Sequence, residues 1–207
     1  LVHLGTLARV LVIFFDDIKS LILSLASKKT QIFIMYILIG TLPAVGIGLG
    51  FKDLIDSLFE NVTAVGGALI FTGVVLFGSS FANRQDKDHS FLTCILIGCA
   101  QAMAIIPGVS RSGMTISAAL FLGLSAKEAA RFSFLLAIPA IGGAGLLTAL
   151  DVSGGFQMPI PVALAGLTSS FAVGVVALKW LLGWLEQGKF HYFGIYCFAV
   201  GLITLVV

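Results

Sequence analysis

Residues 91–124, FLTCILIGCAQAMAIIPGVSRSGMTISAALFLGL, decide the architecture. They hold two apolar stretches, Phe91 to Ile106 and Gly113 to Leu124, set back to back around Pro107-Gly108. A helix that crosses a hydrocarbon core roughly 30 Å thick takes about 20 residues at ~1.5 Å each, and neither stretch comfortably reaches that length. Pro107 ends the first helix, and Gly108 permits a tight backbone path. The pair predicts a re-entrant helical hairpin with its tip at membrane depth. Such an irregularity is tolerated only where the backbone is buried in protein or lines a polar cavity.

Six further apolar segments flank this hairpin: Leu1 to Phe15, Gln31 to Phe51, Ala64 to Ala82, Ala129 to Leu150, Val162 to Leu185 and Phe190 to Val207. They are continuous rather than alternating, which points to helices and away from a lipid-facing β-barrel. Only 11% of the 207 residues are charged and 58% are hydrophobic, a balance that excludes a water-soluble domain. The fold expected is all-α: a polytopic membrane protein of about six transmembrane helices plus the re-entrant hairpin, forming one membrane domain over residues 1–207. Pro43-Ala44-Val45-Gly46 and Pro139-Ala140-Ile141-Gly142 each lie within a long apolar segment, an echo that suggests an inverted repeat. The 24 glycines are spread along the segments, as suits helices whose backbones pack closely in lipid.

Charge placement supplies the orientation, because Lys and Arg favour cytoplasmic loops. Nine of the twelve basic residues fall in alternate loops: Lys19, Lys28 and Lys29; Arg84 and Lys87; Lys127 and Arg131; Lys179 and Lys189. The opposite loops hold only Lys52, and the loop from Asp151 to Pro161 has no basic residue. Trp180 and Trp184, one helical turn apart beside Lys179 and followed by Tyr192, read as an interfacial aromatic anchor. A net charge of +2 without a basic run argues against a nucleic-acid partner. Cys94, Cys99 and Cys197 lie in apolar stretches without zinc-like spacing and read as small packed side chains, and no metal site is assigned.

The chemistry concentrates at Pro107-Gly108-Val109-Ser110-Arg111-Ser112-Gly113-Met114-Thr115-Ile116. Ser112 is placed to cap a helix beginning at Gly113, so that unpaired N–H groups and the positive helix end face the hairpin tip, a geometry suited to an anion. Arg111 sits beside those donors, and its planar guanidinium can grip two phosphate oxygens. Burying that charge at the centre of a membrane helix costs roughly 2.5–3.5 kcal/mol, which asks for a functional return. Ser110 and Thr115 add two hydroxyls. Each hydroxyl taken alone is an ordinary cap or packing group, but turn, cap, cation and hydroxyls converge on one point. Arg111 and Ser110 are the catalytic candidates; Gly108, Ser112, Gly113 and Thr115 are the substrate-binding candidates.

This stretch resembles the P-G-x-S-R-S-G-x-T-I motif of the undecaprenyl-diphosphatases, the bacitracin-resistance phosphatase family, at all eight specified positions. His3 to Leu7, Thr41 to Ala44 and Glu128 to Ala140 resemble the family as well. The resemblance implies two inverted repeats, each opening with a re-entrant helix pair, in the bacterial inner membrane with the site open to the outer face. It implies hydrolysis of undecaprenyl pyrophosphate to undecaprenyl phosphate and inorganic phosphate, which recycles the cell-wall lipid carrier. Magnesium or calcium is the cofactor it implies, with no ligands identifiable here; the partners are the polyprenyl pyrophosphate and the bilayer, and a homo-oligomer is left open. The family's arginine, first serine and threonine correspond to Arg111, Ser110 and Thr115.

The family's second signature, a pair of glutamates with a Ser-Ser-Thr-Gly-His run, is absent, and an N-terminally truncated chain is the expectation. On that reading the base for hydrolysis belongs to the absent segment, since all ten acidic residues fall in loops or at segment ends. His3 does not replace the family's histidine, and Arg9 stands where the family pattern is apolar. Arg9 is open to pairing with Asp16 or Asp17 or to lining the cavity. The rival reading is a transporter or channel for an anionic or lipid-phosphate substrate, because half-helices meeting at the midplane also build anion pathways.

Overall fold

The computed structural model describes residues 2–83, 85–151 and 160–206, and all regular structure among them is helical. The chain runs through α1 (Val2–Ile13), α2 (Phe15–Leu23), α3 (Lys28–Gly50), α4 (Lys52–Phe59), α5 (Val62–Gly78), α6 (Phe91–Met103), α7 (Arg111–Phe121), α8 (Ala126–Asp151), α9 (Ile160–Glu186) and α10 (Tyr192–Val206). Within the loop from Asp151 to Pro161, residues 152–159 lie outside the described residues, as do the Arg84 position and the side chain of His3.

Three helical stretches are long and apolar enough to cross a bilayer: Lys28–Gly50, Val62–Phe81 and Pro161–Glu186. Their outer surfaces are apolar too, with Val173 and Val176 of α9 each 69% exposed. Surfaces of that kind are stable against lipid and unstable against water, so the chain is an integral membrane protein. A shared core takes Val10 and Phe14 from the α1 end, Ile97 from α6, Ile116 and Leu120 from α7, Phe132 and Leu136 from α8, and Leu178 from α9. The three cysteines are free thiols; Cys94 and Cys197 are buried in the packing and Cys99 is exposed.

Close packing is made by glycine. Gly66 and Gly73 of α5 meet Gly201 and Gly194 of α10: a Cβ on Gly73 would come within 2.9 Å of Gly194 O, and one on Gly201 equally close to Gly66 O. The paired order shows that the two helices run antiparallel. Gly98 of α6 lies similarly on Gly40 of α3, with no room for a methyl group.

Two expectations change. The segment from Leu1 does not pass into a loop after Phe15; α2 carries the helix on to Leu23 past Asp16, Asp17 and Lys19. Phe14 N–H still donates to Val10 O and Ile18 N–H to Phe14 O, both at 2.9 Å, so the break between α1 and α2 is slight. The stretch after Phe51, read as a loop, forms the short helix α4, whose apolar and charged residues segregate to opposite faces.

Candidate anion site at the hairpin tip

Helices α6 and α7 are short for physical reasons at both ends. Ser90 caps α6, its hydroxyl accepting from Thr93 N–H at 3.2 Å. The helix ends at Met103, four residues before Pro107. At the far end of α7, Gly123 takes a φ of +95° while Leu124 N–H reaches back to Ala119 O at 3.0 Å, the closing bond of a Schellman motif. With 13 and 11 residues the two helices are about 20 and 17 Å long, well below the hydrocarbon thickness.

The tip between them is pressed onto α5. Gly108 has a φ of +92°, in the left-handed region, and a Cβ there would lie 2.5 Å from Val65 O. Thr72 of α5, fully buried, accepts from Ser110 N–H at 3.2 Å, and its hydroxyl donates to Ala68 O at 2.9 Å. Thr72 carried no signal in the sequence, where it is one threonine among many; only the docking of α5 behind the tip brings it here.

The cap of α7 is Ser110, not Ser112, and the helix begins at Arg111, not Gly113. Ser110 is extended (φ −74°, ψ 115°), so its hydroxyl reaches forward and accepts from Gly113 N–H at 3.1 Å. Ser112 is already helical and cannot do this. Two capping residues flank one arginine, and backbone conformation alone decides between them. The correction also moves Thr115 from the mouth of the helix to its second turn, where it is 1% exposed. Its hydroxyl donates to Arg111 O at 2.9 Å and accepts from the hydroxyl of Ser133 on α8. Thr115 and Ser133 thus tie the start of α7 to α8.

In front of the tip lies a cavity of about 170 Å³. Arg111 and Ser112 of α7, Thr6 and Arg9 of α1, and Ser133 of α8 supply its polar lining, and Phe134 and Ile141 part of its apolar wall. Of the residues singled out by the sequence, Arg111 and Ser112 reach the cavity; Gly108, Ser110, Gly113 and Thr115 shape the backbone behind it. Arg9 is there as well, with no pairing to Asp16 or Asp17. Arg111 Nη1 and Arg9 Nε are buried without a hydrogen-bond partner among the described residues. No carboxylate or imidazole among the described residues lines the cavity, so its character is cationic.

The basic loops meet elsewhere. Lys29, Lys87, His89, Glu128 and Arg131 surround a recess of about 840 Å³. There Arg131 Nε lies 2.8 Å from Asp17 Oδ1, a close ion pair without hydrogen-bond alignment, and Arg131 Nη1 lies 3.5 Å from Glu128 Oε1. The Phe33 ring faces the Arg131 guanidinium at 5.1 Å, and His89 Nε2 is 3.3 Å from Glu128 Oε2. The aromatic group at the foot of α9 is compact, with the Trp180 and Trp184 rings 4.8 Å apart and Trp184 5.8 Å from Tyr192.

An undecaprenyl-diphosphatase of Methanothermobacter thermautotrophicus is 42% identical over 175 residues, which cover 82% of the chain and 97% of that relative. One from Korarchaeum cryptofilum is 38% identical, covering 99% of the chain and 82% of the relative. One from Rhodopirellula baltica is 39% identical, covering the whole chain and 81% of the relative. Residues 1–203 match the family described as bacitracin resistance protein BacA, and with nearly the whole length covered, the chain belongs to that family.

Proposed function

We propose that this chain hydrolyses undecaprenyl diphosphate to undecaprenyl phosphate and inorganic phosphate, at the cavity in front of α7. The observation that carries the reading is Arg111: a guanidinium at the first position of a half-length helix, lining a cavity that brings it no counter-charge among the described residues. Relatives carrying the undecaprenyl-diphosphatase name support the substrate.

In this reading the terminal phosphoryl group rests at the start of α7. Gly113 N–H is engaged by Ser110, and Ser110 N–H by Thr72, which leaves the N–H groups of Arg111 and Ser112 as first-turn donors for phosphoryl oxygens. Arg111 takes two more oxygens by its fork. As the oxygen of water bonds to the terminal phosphorus and its proton passes to solvent, the bond from phosphorus to the bridging oxygen breaks. The electron pair leaves on the lipid phosphate. Charge spreading over the phosphoryl oxygens is what the guanidinium and helix end stabilise. A divalent cation, implied by the resemblance, finds no fitting donor set here: among the described residues no group of three or more His, Cys, Asp or Glu is placed to hold one.

We read the finer architecture as about six crossings plus the α6–α7 hairpin entering and leaving on one side, arranged as an inverted repeat. Pro43 within α3 and Pro139 within α8 support the repeat. The gathering of basic residues around Arg131 supports a cytoplasmic recess and a catalytic cavity open to the outer face. A cysteine at Ser153, outside the described residues, is expected to react with an impermeant thiol reagent in intact cells, while one at Ser27 stays unlabelled. The inverse pattern reverses the orientation.

The activity is tested by adding undecaprenyl diphosphate to the purified protein in detergent and measuring phosphate release. Release that stops with Arg111→Gln supports the assignment. Transport of a lipid phosphate in proteoliposomes without any hydrolysis would instead support a carrier.

A further inference from the structure

Arg9 is not needed by the reading above, yet it is the most costly residue in α1. It projects from α1 into the cavity that holds Arg111, and the two positive charges act on each other. Like charges in a poorly solvated site repel strongly, and no carboxylate among the described residues stands between them. The side chain is held in place by shape. Gly174 of α9 faces it so closely that a Cβ there would lie 2.5 Å from Arg9 Cδ and 2.8 Å from its Nη1. The missing side chain is what admits the stem of Arg9 between α1 and α9. Arg9 Nε, like Arg111 Nη1, remains a buried donor without a partner among the described residues.

A single phosphoryl group is served by one guanidinium fork and a helix end, and a second unpaired guanidinium calls for a second anionic group joined to the first. The cavity, at about 170 Å³, is several times the ~30 Å³ share of one water. We propose that Arg9 binds the lipid-proximal phosphoryl group of the diphosphate while Arg111 binds the terminal one, so that Arg9 selects a diphosphate over a monophosphate. This rests on the proposed function and deepens it. The bridging oxygen then sits between the two cations, and the charge it acquires on cleavage is met by Arg9. Once the terminal phosphate has left, the lipid monophosphate keeps one cation instead of two, which favours its release.

The test is direct binding of inorganic pyrophosphate and of orthophosphate to the purified full chain in detergent, without lipid. Arg9→Gln is expected to weaken pyrophosphate by at least about tenfold, the loss of one charge-assisted contact, while changing orthophosphate little. Arg111→Gln weakens both. Gly174→Ala, which leaves Arg9 in the chain but crowds its stem, reproduces part of the Arg9→Gln loss and adds nothing in the double variant. Arg9→Met, which removes the charge and keeps an apolar stem, takes the place of the glutamine variant if that one melts at detergent-working temperatures, with the same loss expected. An equal loss for both anions, or none for either, overturns the inference. The two readings fail separately. Arg9-dependent pyrophosphate binding in a protein that releases no phosphate from the lipid leaves this inference standing and removes the function; normal hydrolysis with Arg9-independent binding does the reverse.

Discussion

Arg111 and Arg131 are both held close to a helix start, and they are treated in opposite ways. Arg131 is surrounded by Asp17, Glu128 and the face of Phe33, all supplied by the chain. Arg111 opens α7 and meets hydroxyls, an apolar wall and a second arginine. An arginine that joins helices brings its counter-charges with it, because a charge left unpaired in a low dielectric is costly. An arginine that receives an anion leaves that place open, and the folded protein carries the cost until the ligand arrives. Under the proposed function, the contrast separates a structural from a functional cation more sharply than burial does, since neither side chain is fully enclosed.

The largest effect that can break this contrast is at Arg111. Arg111→Lys keeps the charge and loses the fork, and kcat/KM for the lipid diphosphate should fall about 100-fold or more with expression and melting temperature retained. Near-normal turnover would make Arg111 a second structural arginine. Arg131→Gln should do the converse. It leaves Asp17 and Glu128 without their cation, costs about 1 kcal/mol of stability for a partly exposed pair, and leaves kcat/KM within about twofold. A strong loss of activity at unchanged stability would move the functional cation to the other end of the molecule.

The smallest effect is one of pH. Glu128 stands in the first turn of α8, ahead of the apolar run that starts at Ala129. Its hydrogen bond with His89 holds the carboxyl below the ordinary range, helped by the charge of Arg131 and opposed by burial. A lowered carboxylate stabilises the fold above its ordinary value of 4.5 and loses that contribution as pH falls through the lowered one. The melting-temperature gap between the parent and Glu128→Gln should therefore be open at neutral pH and close on acidification. A gap that persists in acid would show that the carboxylate is not what joins α8 to His89.

The hairpin was legible in the sequence because proline and glycine punctuate it: Phe91 starts α6 as read, and Pro107-Gly108 makes the turn. The cap was misplaced by two residues because Ser110 and Ser112 are chemically alike, and only φ and ψ tell them apart. Arg111 could be singled out from its cost alone. Arg9 could be noticed as an oddity, but its destination depends on α1 packing against α8 and α9 beside the cavity, a long-range arrangement that no local pattern encodes. Ser133 lay in a stretch that resembled the family, yet its bond to Thr115 required α8 to pass beside the second turn of α7. Helix α4 was missed because eight residues with three charges read as a loop when periodicity is judged over longer windows.

The glycine seam between α5 and α10 has a consequence for the tip. Backbones in direct contact at Gly66–Gly201 and Gly73–Gly194 leave α5 no slack to recede, and α5 is the wall against which Gly108 and Ser110 rest. The first-turn donors of α7 therefore occupy their positions before any lipid arrives. In energetic terms the site is preorganised. The entropy of ordering those dipoles is spent once, during folding, and is not charged again to each catalytic cycle.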